Sequence, residues 1–483
     1  MRYIITADFW KKFAKKISSQ QQKRWPILFC QNKSLWYLND FNLEARHGKN
    51  TLKAALIYLD TLDRLKTAQV ITDEEDLQCL LFVYADIKKY HFYHRLATLE
   101  NGDYRWISDP VGFDLSQIID PIEMLKRSGK NNLTLMRHRF APNLDLSKLY
   151  ETRCLIIGTG TLGCNIARSL LTWGIEHMTF IDNSHVSHSN LLRQSLFEYS
   201  DLGRPKALAA ADRIAKIYPP AKEKLMGYEY QIPMPDHPDT VKDLADNIQI
   251  LETLVNRHDV IFLCTDNKES RWLPTIIALS ANKPLVNLAV GFDSWVVMRH
   301  PLASTSSLPK SSYHQEKDQL PIDQIGCYFC TSIEGVVNTV KDRQIDERCT
   351  VTRGGTSAVS SAYAVELAIS LLTHPDGFFA SAEIDNQSRS SLTVKYPPQQ
   401  IRGTISCFNI KQCLARRNPQ CCACSGDIMN CYNNRLTRLK FLETVCQNSQ
   451  ILKKITSLDQ FEIMTSKDNL LEIDEQSFQN TGN

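Results

Sequence analysis

The residues best equipped for chemistry fall into four groups. In the first, Leu155, Ile156 and Ile157 run into Gly158, Gly160 and Gly163; an amphipathic stretch follows, and a second apolar run from Met178 to Ile181 ends on Asp182. This reads as strand, glycine turn, helix, strand. The first glycine makes the tight turn, the second lets backbone approach a phosphate, and the third packs helix on strand. An acid about 20 residues on accepts hydrogen bonds from a ribose. Any nucleotide-binding βαβ unit, dehydrogenases included, carries such a pattern, so alone it points to a ligand class and hardly to a reaction.

The second group is Asn190, Arg193, Gln194 and Lys206, joined by Asp266 at the end of a later apolar run. Two cations and two amides beyond a ribose-binding acid exceed what hydride transfer requires. They suit an enzyme that cleaves ATP between its α and β phosphates, where charge builds on the leaving pyrophosphate. Asp266 could hold Mg²⁺, which binds through few carboxylates plus phosphate oxygens; capping the following helix is its competing role. The third group is Cys327-Tyr-Phe-Cys330 and Cys421-Cys-Ala-Cys424, two knuckles about ninety residues apart. Together they make a Cys₄ zinc site, structural because thiolates close every position; redox use of either knuckle is the alternative, and Cys422 is an extra thiol. The fourth is Cys349, flanked by Arg348 and Arg353. Electropositive surroundings favour thiolate and equip it as a nucleophile, against the plain alternative of an inert thiol.

The elements that must position these groups alternate between strand and helix, which predicts a mostly parallel sheet covered on both faces. Val260 to Leu263 and Leu285 to Val290 read as strands. Ligands in such sheets sit at the carboxyl ends of strands, where Asp182 and Asp266 both fall. Small and apolar residues at helical spacing predict a buried helix over Thr356–Thr373, with Glu366 satisfied structurally. Residues 301–325, rich in Ser, Pro, Gln and Lys, predict an exposed loop. The polar stretch Ser128 to Asn132 marks a candidate boundary. Before it, residues 1–132 read as a small α+β domain with a helix over 51–68 and a strand over Leu80 to Tyr84. There His91 and His94 lack acidic or cysteine partners and read as a packed aromatic edge rather than a ligand pair. After Cys424, a helical pattern through Leu436, Leu439 and Leu442 leads to a tail in which Leu470, Leu471 and Ile473 alternate with acids.

Bulk numbers agree with this picture. The chain has 483 residues, enough for two or three domains, and 43% are hydrophobic, ordinary for a globular protein. A net charge of +3 on 56 basic and 53 acidic residues gives no broad field that demands nucleic acid or a membrane. No run of 18 apolar residues exists, and the first sixteen positions carry basic residues after apolar ones, the reverse of a secretory signal. These features predict a soluble cytoplasmic chain whose partners are proteins and nucleotides. Its 15 cysteines are then metal ligands or reactive thiols rather than a disulfide scaffold.

Seven stretches carry a family resemblance: GTGTLGCNIARSLLTWGIEHMTFIDN, LLRQSLFEYSDLGRPKALAAADRI, CTDNKESRWLP, GFDSWVVMRH, GCYFC, ERCTVTR and QIRG. In order and spacing the chain resembles the E1-like enzymes of autophagy, within the E1/ThiF/MoeB superfamily. The resemblance implies an α/β fold: a Rossmann-like adenylation domain over residues 133–425 with a Cys₄ zinc site, a small N-terminal domain of E2-recruiting type over 1–132, and a helix with an acidic modifier-binding tail over 426–483. It further implies that Gly158, Gly160 and Gly163 cradle ATP and that Asp182 binds its ribose. Asn190, Arg193, Gln194 and Lys206 then contact the phosphates, Asp266 positions Mg²⁺, and Cys349 forms a thioester with a ubiquitin-like modifier before transfer to an E2-like conjugating enzyme. A homodimer through the adenylation domain is implied too, possible placement at the pre-autophagosomal structure among its consequences, with no nucleic acid and no membrane insertion. Two departures stand out. Gly354-Gly355 follows Arg353 where the family has proline, which predicts a looser loop, and the N-terminal region is about half the family's length, which puts E2 recruitment in question. The other readings kept open are a sulfur-carrier-type adenylyltransferase and a catalytically weak binding scaffold.

Overall fold

The computed structural model describes the strands within residues 36–114, then residues 121–139, 141, 144–303, 319–331, 335–336, 338–339, 351–383 and 397–460. By contacts the chain divides into two units, residues 1–125 and 126–483. The first holds an antiparallel sheet of β1 (Trp36–Leu38), β2 (Leu52–Ile57), β3 (Cys79–Asp86), β4 (His91–Glu100), β5 (Asp103–Trp106) and β6 (Val111–Asp114). The helix expected over 51–68 is a strand through residues 52–57, paired with β3 from Leu52↔Tyr84 to Ile57↔Cys79. Six residues, apolar but for Lys53, are ambiguous by periodicity, and cross-strand pairing decides them. The strand expected over Leu80 to Tyr84 is present within β3, and His91 and His94 lie on β4.

Helix α1 (Pro121–Arg139) contains the stretch Ser128 to Asn132 that reads as a boundary in sequence, so those polar residues are helical. Leu133 is buried, and the Lys130 ammonium sits 4.2 Å from the centre of the Tyr150 ring. After α2 (Leu146–Glu151), capped by the Asp145 carboxylate, comes the unit that positions the site: β7 (Arg153–Ile157), α3 (Thr161–Thr172) and β8 (His177–Asp182). Along β7 and its neighbour, alternate side chains go to opposite faces of the sheet. Cys154 and Ile156 join one core; Leu155 and Ile157 join the other. Both faces being covered explains why the run is continuously apolar. The α3 helix ends at Gly174 (φ +76°), where the Ile175 N–H reaches the Leu170 carbonyl and the Gly174 N–H reaches Leu171. This left-handed cap turns the chain into β8.

The sheet continues with α4 (Lys206–Ile217), β9 (Leu225–Glu229), α5 (Leu244–Arg257), β10 (Val260–Leu263), α6 (Glu269–Ser280), β11 (Leu285–Val290) and β12 (Ser294–Arg299). Two-residue strands β13 (Gln319–Leu320) and β14 (Ala382–Glu383) pair with each other, flanking α7 (Gly354–Thr373) in sequence. Strands β15 (Gln400–Thr404) and β16 (Asn409–Cys413) complete an eight-stranded sheet in the order β16-β15-β12-β11-β10-β7-β8-β9. Pairing is parallel from β11 to β9 and antiparallel from β11 to β16. Helices α3, α4 and α7 cover one face; α5 and α6 cover the other.

By length and apolarity α7 could cross a membrane, yet Ala364, Val365, Ala368 and Leu371 are buried in the core of the domain. Its Glu366 accepts a hydrogen bond from Trp173 Nε1 at 2.8 Å, the structural satisfaction expected of it. Gly354 and Gly355 are its first two residues, so the position where the family has proline is helix rather than loop. Proline suits a first helical turn, and glycine is tolerated there.

Helices α8 (Gly426–Asn433), α9 (Arg438–Gln447) and α10 (Gln450–Thr456) bury Ile428, Tyr432, Leu442, Val445 and Leu452 in the same core as α5 and α6. The acidic tail beyond residue 460 lies outside the described residues.

A Cβ added at Gly163 would lie 2.2 Å from the Gly158 carbonyl oxygen. Gly163→Ala is therefore expected to push α3 off β7 and destabilise the domain by about 1–3 kcal/mol. A thermal midpoint equal to that of the parent chain would show that the helix can back away at no cost.

Candidate functional site

The chain leaves β7 for β8 on one side, and β10 lies on the other, so the carboxyl ends of β7 and β10 meet at a topological switch point, where such sheets bind ligands. A cavity of about 600 Å³ opens there. Gly158 follows β7 with φ +95°, and a Cβ on it would stand 2.9 Å from the backbone of Cys264, the residue after β10. Only glycine allows the two strand ends to come so close. Gly160 is different: its added Cβ would meet only Gln194 Nε2, at 4.0 Å, and would project into the cavity. Gly163 does not line the cavity and acts through packing alone.

Asp182 ends β8 and accepts from the Thr159 N–H at 2.7 Å on one oxygen and from the Ser184 N–H at 2.8 Å on the other. Two backbone donors fix the carboxylate, and lone pairs remain for the hydroxyls of a sugar. Asn190 is buried, with its side-chain oxygen accepting the Ser187 N–H at 2.9 Å, while its carbonyl accepts the N–H groups of Arg193 and Gln194. Arg193 is exposed and donates to Thr161 Oγ at 3.0 Å. Gln194 is buried, and its Oε1 has no partner.

Lys206 is the first residue of α4, held where its N–H meets the Ser184 carbonyl at 2.9 Å. The turn before it is braced by Asp201, which accepts from Arg204 at 2.8 Å and Arg213 at 3.0 Å. Burial pushes the Asp201 carboxyl up, but the Glu198 N–H and the two guanidiniums outweigh it and hold the group below its ordinary range.

Asp266 stands exposed on the cavity wall, and no hydrogen bond reaches its carboxylate among the described residues. The cap of α6 is instead Asn267, whose Oδ1 accepts the Ser270 N–H at 2.8 Å. Asp266 is thereby left free for a cation. Sequence reasoning passed over Arg271, which also lines the cavity. It is buried, stacks 5.2 Å from the Tyr328 ring centre, and donates to Asn287 Oδ1 at 2.6 Å and to the carbonyls of Leu288 and Thr265. Burial pushes its guanidinium pKa down, and the three acceptors tie the turn that carries Asp266 to the end of β11. An arginine set immediately before the mostly apolar stretch Trp272 to Leu279 was the signal for it.

The cavity thus gathers Gly158, Gly160, Asp182, Asn190, Arg193, Gln194, Lys206 and Asp266. Cys349 lies outside the described residues. Thr352, three positions on, lines the cavity together with Ser357, and Arg353 donates its N–H to the Phe292 carbonyl at 2.7 Å.

Away from the cavity, the sulfurs of Cys327, Cys330, Cys421 and Cys424 lie within 4.8 Å of one another, all buried. Sulfur separations of 3.3, 3.6 and 3.8 Å fit the edge of about 3.8 Å expected for a tetrahedron with Zn–S near 2.3 Å. N–H groups of Cys327 and Asn418 point at Cys330 Sγ, and those of Ala423 and Cys424 at Cys421 Sγ. Burial pushes the Cys327 thiol up, whereas hydrogen bonds from its three neighbours hold Cys330 down; a bound cation would take all four as thiolates. Cys422 is not among the converging sulfurs, and its carbonyl accepts from Trp272 Nε1 at 2.8 Å.

Residues 132–479 match the model of the ThiF family. The chain is 38% identical over 377 residues to the ubiquitin-like modifier-activating enzyme ATG7 of Homo sapiens, covering 72% of this chain and 52% of that one. It is 38% identical over 358 residues to the enzyme of that name from Dictyostelium discoideum (72% and 50% covered) and 41% identical over 327 residues to that of Ajellomyces capsulatus (66% and 45% covered). The chain spans about half the length of these relatives.

Gly160→Ala should lower stability by no more than about 1 kcal/mol, as expected for alanine at a helix N-cap, yet weaken ATP binding measured by calorimetry by about tenfold or more. Equal ATP affinity would remove Gly160 from the phosphate path. The cysteine cluster is expected to hold one zinc per chain by elemental analysis. Cys330→Ser should lose the metal and lower the thermal midpoint, while Cys422→Ser keeps it; full metal content in Cys330→Ser would refute the four-sulfur assignment.

Proposed function

The chain belongs to the ThiF family, and from that premise we propose that it is an E1-like activating enzyme of autophagy. It adenylates the C-terminal glycine of a ubiquitin-like modifier with ATP and carries the acyl group as a thioester on Cys349 to an E2-like conjugating enzyme. The observation that carries this reading is one cavity lined by a ribose-type acid, two cations, a free carboxylate and a residue three positions from Cys349. Three residues of chain span no more than about 11 Å, which supports a thiol within reach of the cavity. The names borne by relatives at 38–41% identity support the same reading.

In this reading Asp182 accepts the ribose hydroxyls, and the backbone at Gly160 lies along the phosphates. The modifier's carboxylate attacks the α-phosphorus, the α–β bridging bond breaks, and pyrophosphate leaves toward Arg193 and Lys206, which neutralise its charge. Asn190 and Gln194 orient the phosphate oxygens, the unpartnered Gln194 Oε1 marking a polar group still without its companion. Asp266 would hold Mg²⁺, which supplies charge neutralisation between the phosphates. The Cys349 thiolate then attacks the acyl carbon, AMP leaves, and a thioester remains. The Cys₄ cluster would hold zinc as a structural tie. Partners proposed with this activity are autophagy ubiquitin-like modifiers, E2-like enzymes and a second copy of the chain, in the cytoplasm.

The test is ATP–pyrophosphate exchange with a glycine-terminated autophagy modifier, followed by detection of a thiol-sensitive adduct. Lys206→Ala and Asp266→Asn are each expected to lower exchange by about 100-fold. Cys349→Ser should keep exchange and lose the adduct. A thiol-sensitive adduct that survives Cys349→Ser would end the cysteine assignment, and exchange supported only by a sulfur-carrier protein would favour a sulfur-transfer enzyme.

A further inference from the structure

The described residues 335–336 and 338–339, between the first zinc knuckle and Cys349, form a short arm held at several points. The Gly335 carbonyl accepts from Lys268 Nζ at 3.0 Å, the Asn338 side chain donates to the Asp236 carbonyl at 3.1 Å, and the Thr339 N–H donates to Glu269 Oε1. Asp236, with φ +63°, also accepts the Ser449 N–H at 3.0 Å, so one residue joins the arm to the start of α10. Glu269 is the unusual member. It is fully buried in the first turn of α6, and among the described residues its Oε2 has no hydrogen-bond partner.

Burying a carboxylate with one oxygen unpaired is costly. The helix N-terminus offsets part of that cost, but an apolar residue would pack there more cheaply if packing were the only need. Glu269 does not line the cavity and lies three residues after Asp266, on the helix whose start carries that turn. It therefore connects the element that ends at the proposed cation carboxylate to the strand of chain that leads to the acceptor cysteine. Ten residues run from Thr339 to Cys349 and four from Cys349 to Arg353, itself fixed to Phe292.

We propose that Glu269 is a positioning residue for the second half-reaction: by holding the Thr339 N–H it sets the point from which the chain runs to Cys349, and so the local concentration of that thiol at the adenylate. The proposal rests on Cys349 being the acceptor. Because Glu269 stands outside the cavity, it affects thioester formation and not adenylation. A tether freed at one end lowers the local concentration of the group it carries only gradually, so the expected loss is about two- to fivefold.

The test uses the full chain with ATP and the glycine-terminated modifier that supports exchange. Glu269→Ala should keep pyrophosphate exchange at the parent rate and slow single-turnover thioester formation two- to fivefold, and Glu269→Gln, which retains an acceptor, should restore it. Thr339→Pro removes the donor from the arm without touching the core and should reproduce the alanine phenotype. Hydrogen exchange gives a readout independent of the reaction: the Thr339 amide should lose protection in Glu269→Ala and keep it in Glu269→Gln. Equal loss of both half-reactions, no change in either, or unaltered Thr339 protection overturns the proposal. A parent chain that forms no thioester overturns the acceptor assignment instead, while the protection measurement still decides whether the anchor exists.

Discussion

The contact between the Gly158 turn and the end of β10 is the constraint on which the rest of the site depends. Two parallel strands can place their outgoing turns side by side only if one turn carries no side chain, and Gly158 satisfies this with its left-handed backbone. From that contact the directions of the following segments are set. The chain after β7 must rise into α3, the chain after β10 must turn outward through Thr265 and Asp266, and the gap between them becomes the cavity. Gly163 repeats the requirement one turn later, where α3 crosses over the Gly158 carbonyl. The two glycines enforce a single geometry from opposite ends of one short loop.

Around that gap the polar groups are held before any ligand arrives. Asp182 is fixed by two backbone N–H groups, the turn before Lys206 by the Asp201–Arg204–Arg213 cluster, and the Asp266 turn by Arg271. Groups fixed in this way need no reorganisation when charge develops, which is where electrostatic catalysis gains most. The cost is visible in polar atoms left without companions, Gln194 Oε1 and Thr265 Oγ among them. Unpaired buried acceptors and donors destabilise a fold by about 1–3 kcal/mol each, and these two line the cavity, where a ligand can satisfy them.

The cysteine cluster works on a longer scale. It brings residue 327 to residue 424, closing a loop that contains α7 and the antiparallel strands β15 and β16. Closing so long a loop costs conformational entropy that rises only slowly with length, so one set of four sulfurs can secure a large part of the domain. The helices after Cys424 then complete the core on the α5 and α6 face, and Asp236 connects them to the arm that Glu269 holds.

Much of this was legible from the chain because short-range chemistry leaves local marks. Glycines at fixed offsets after an apolar run, an acid at the end of the next one, and paired cysteine knuckles each encode a backbone requirement within a few residues, and the strands and the α7 helix that carry them stand where their patterns place them. The limits were equally physical. Residues 52–57, apolar but for Lys53, are too short for periodicity to separate helix from strand, and only pairing with β3 decides. Asp266 and Asn267 are adjacent candidates for one helix cap, and the three-dimensional direction of each side chain gave the cap to Asn267. Glu269 acts on Thr339, seventy residues on, and Arg271 on Asn287 and Leu288 of strand β11, so the pattern along the chain shows a charge but not its partner. Asp201 braces its turn through Arg204 and Arg213, ion pairs that spacing alone does not select. The sequence by itself determined the ligand class, the sheet's central unit and the metal-type cluster, because those depend on spacing along the chain. The tertiary structure alone decided which charges are fixed, which are free and which are buried without a partner, because those depend on what distant segments bring alongside them.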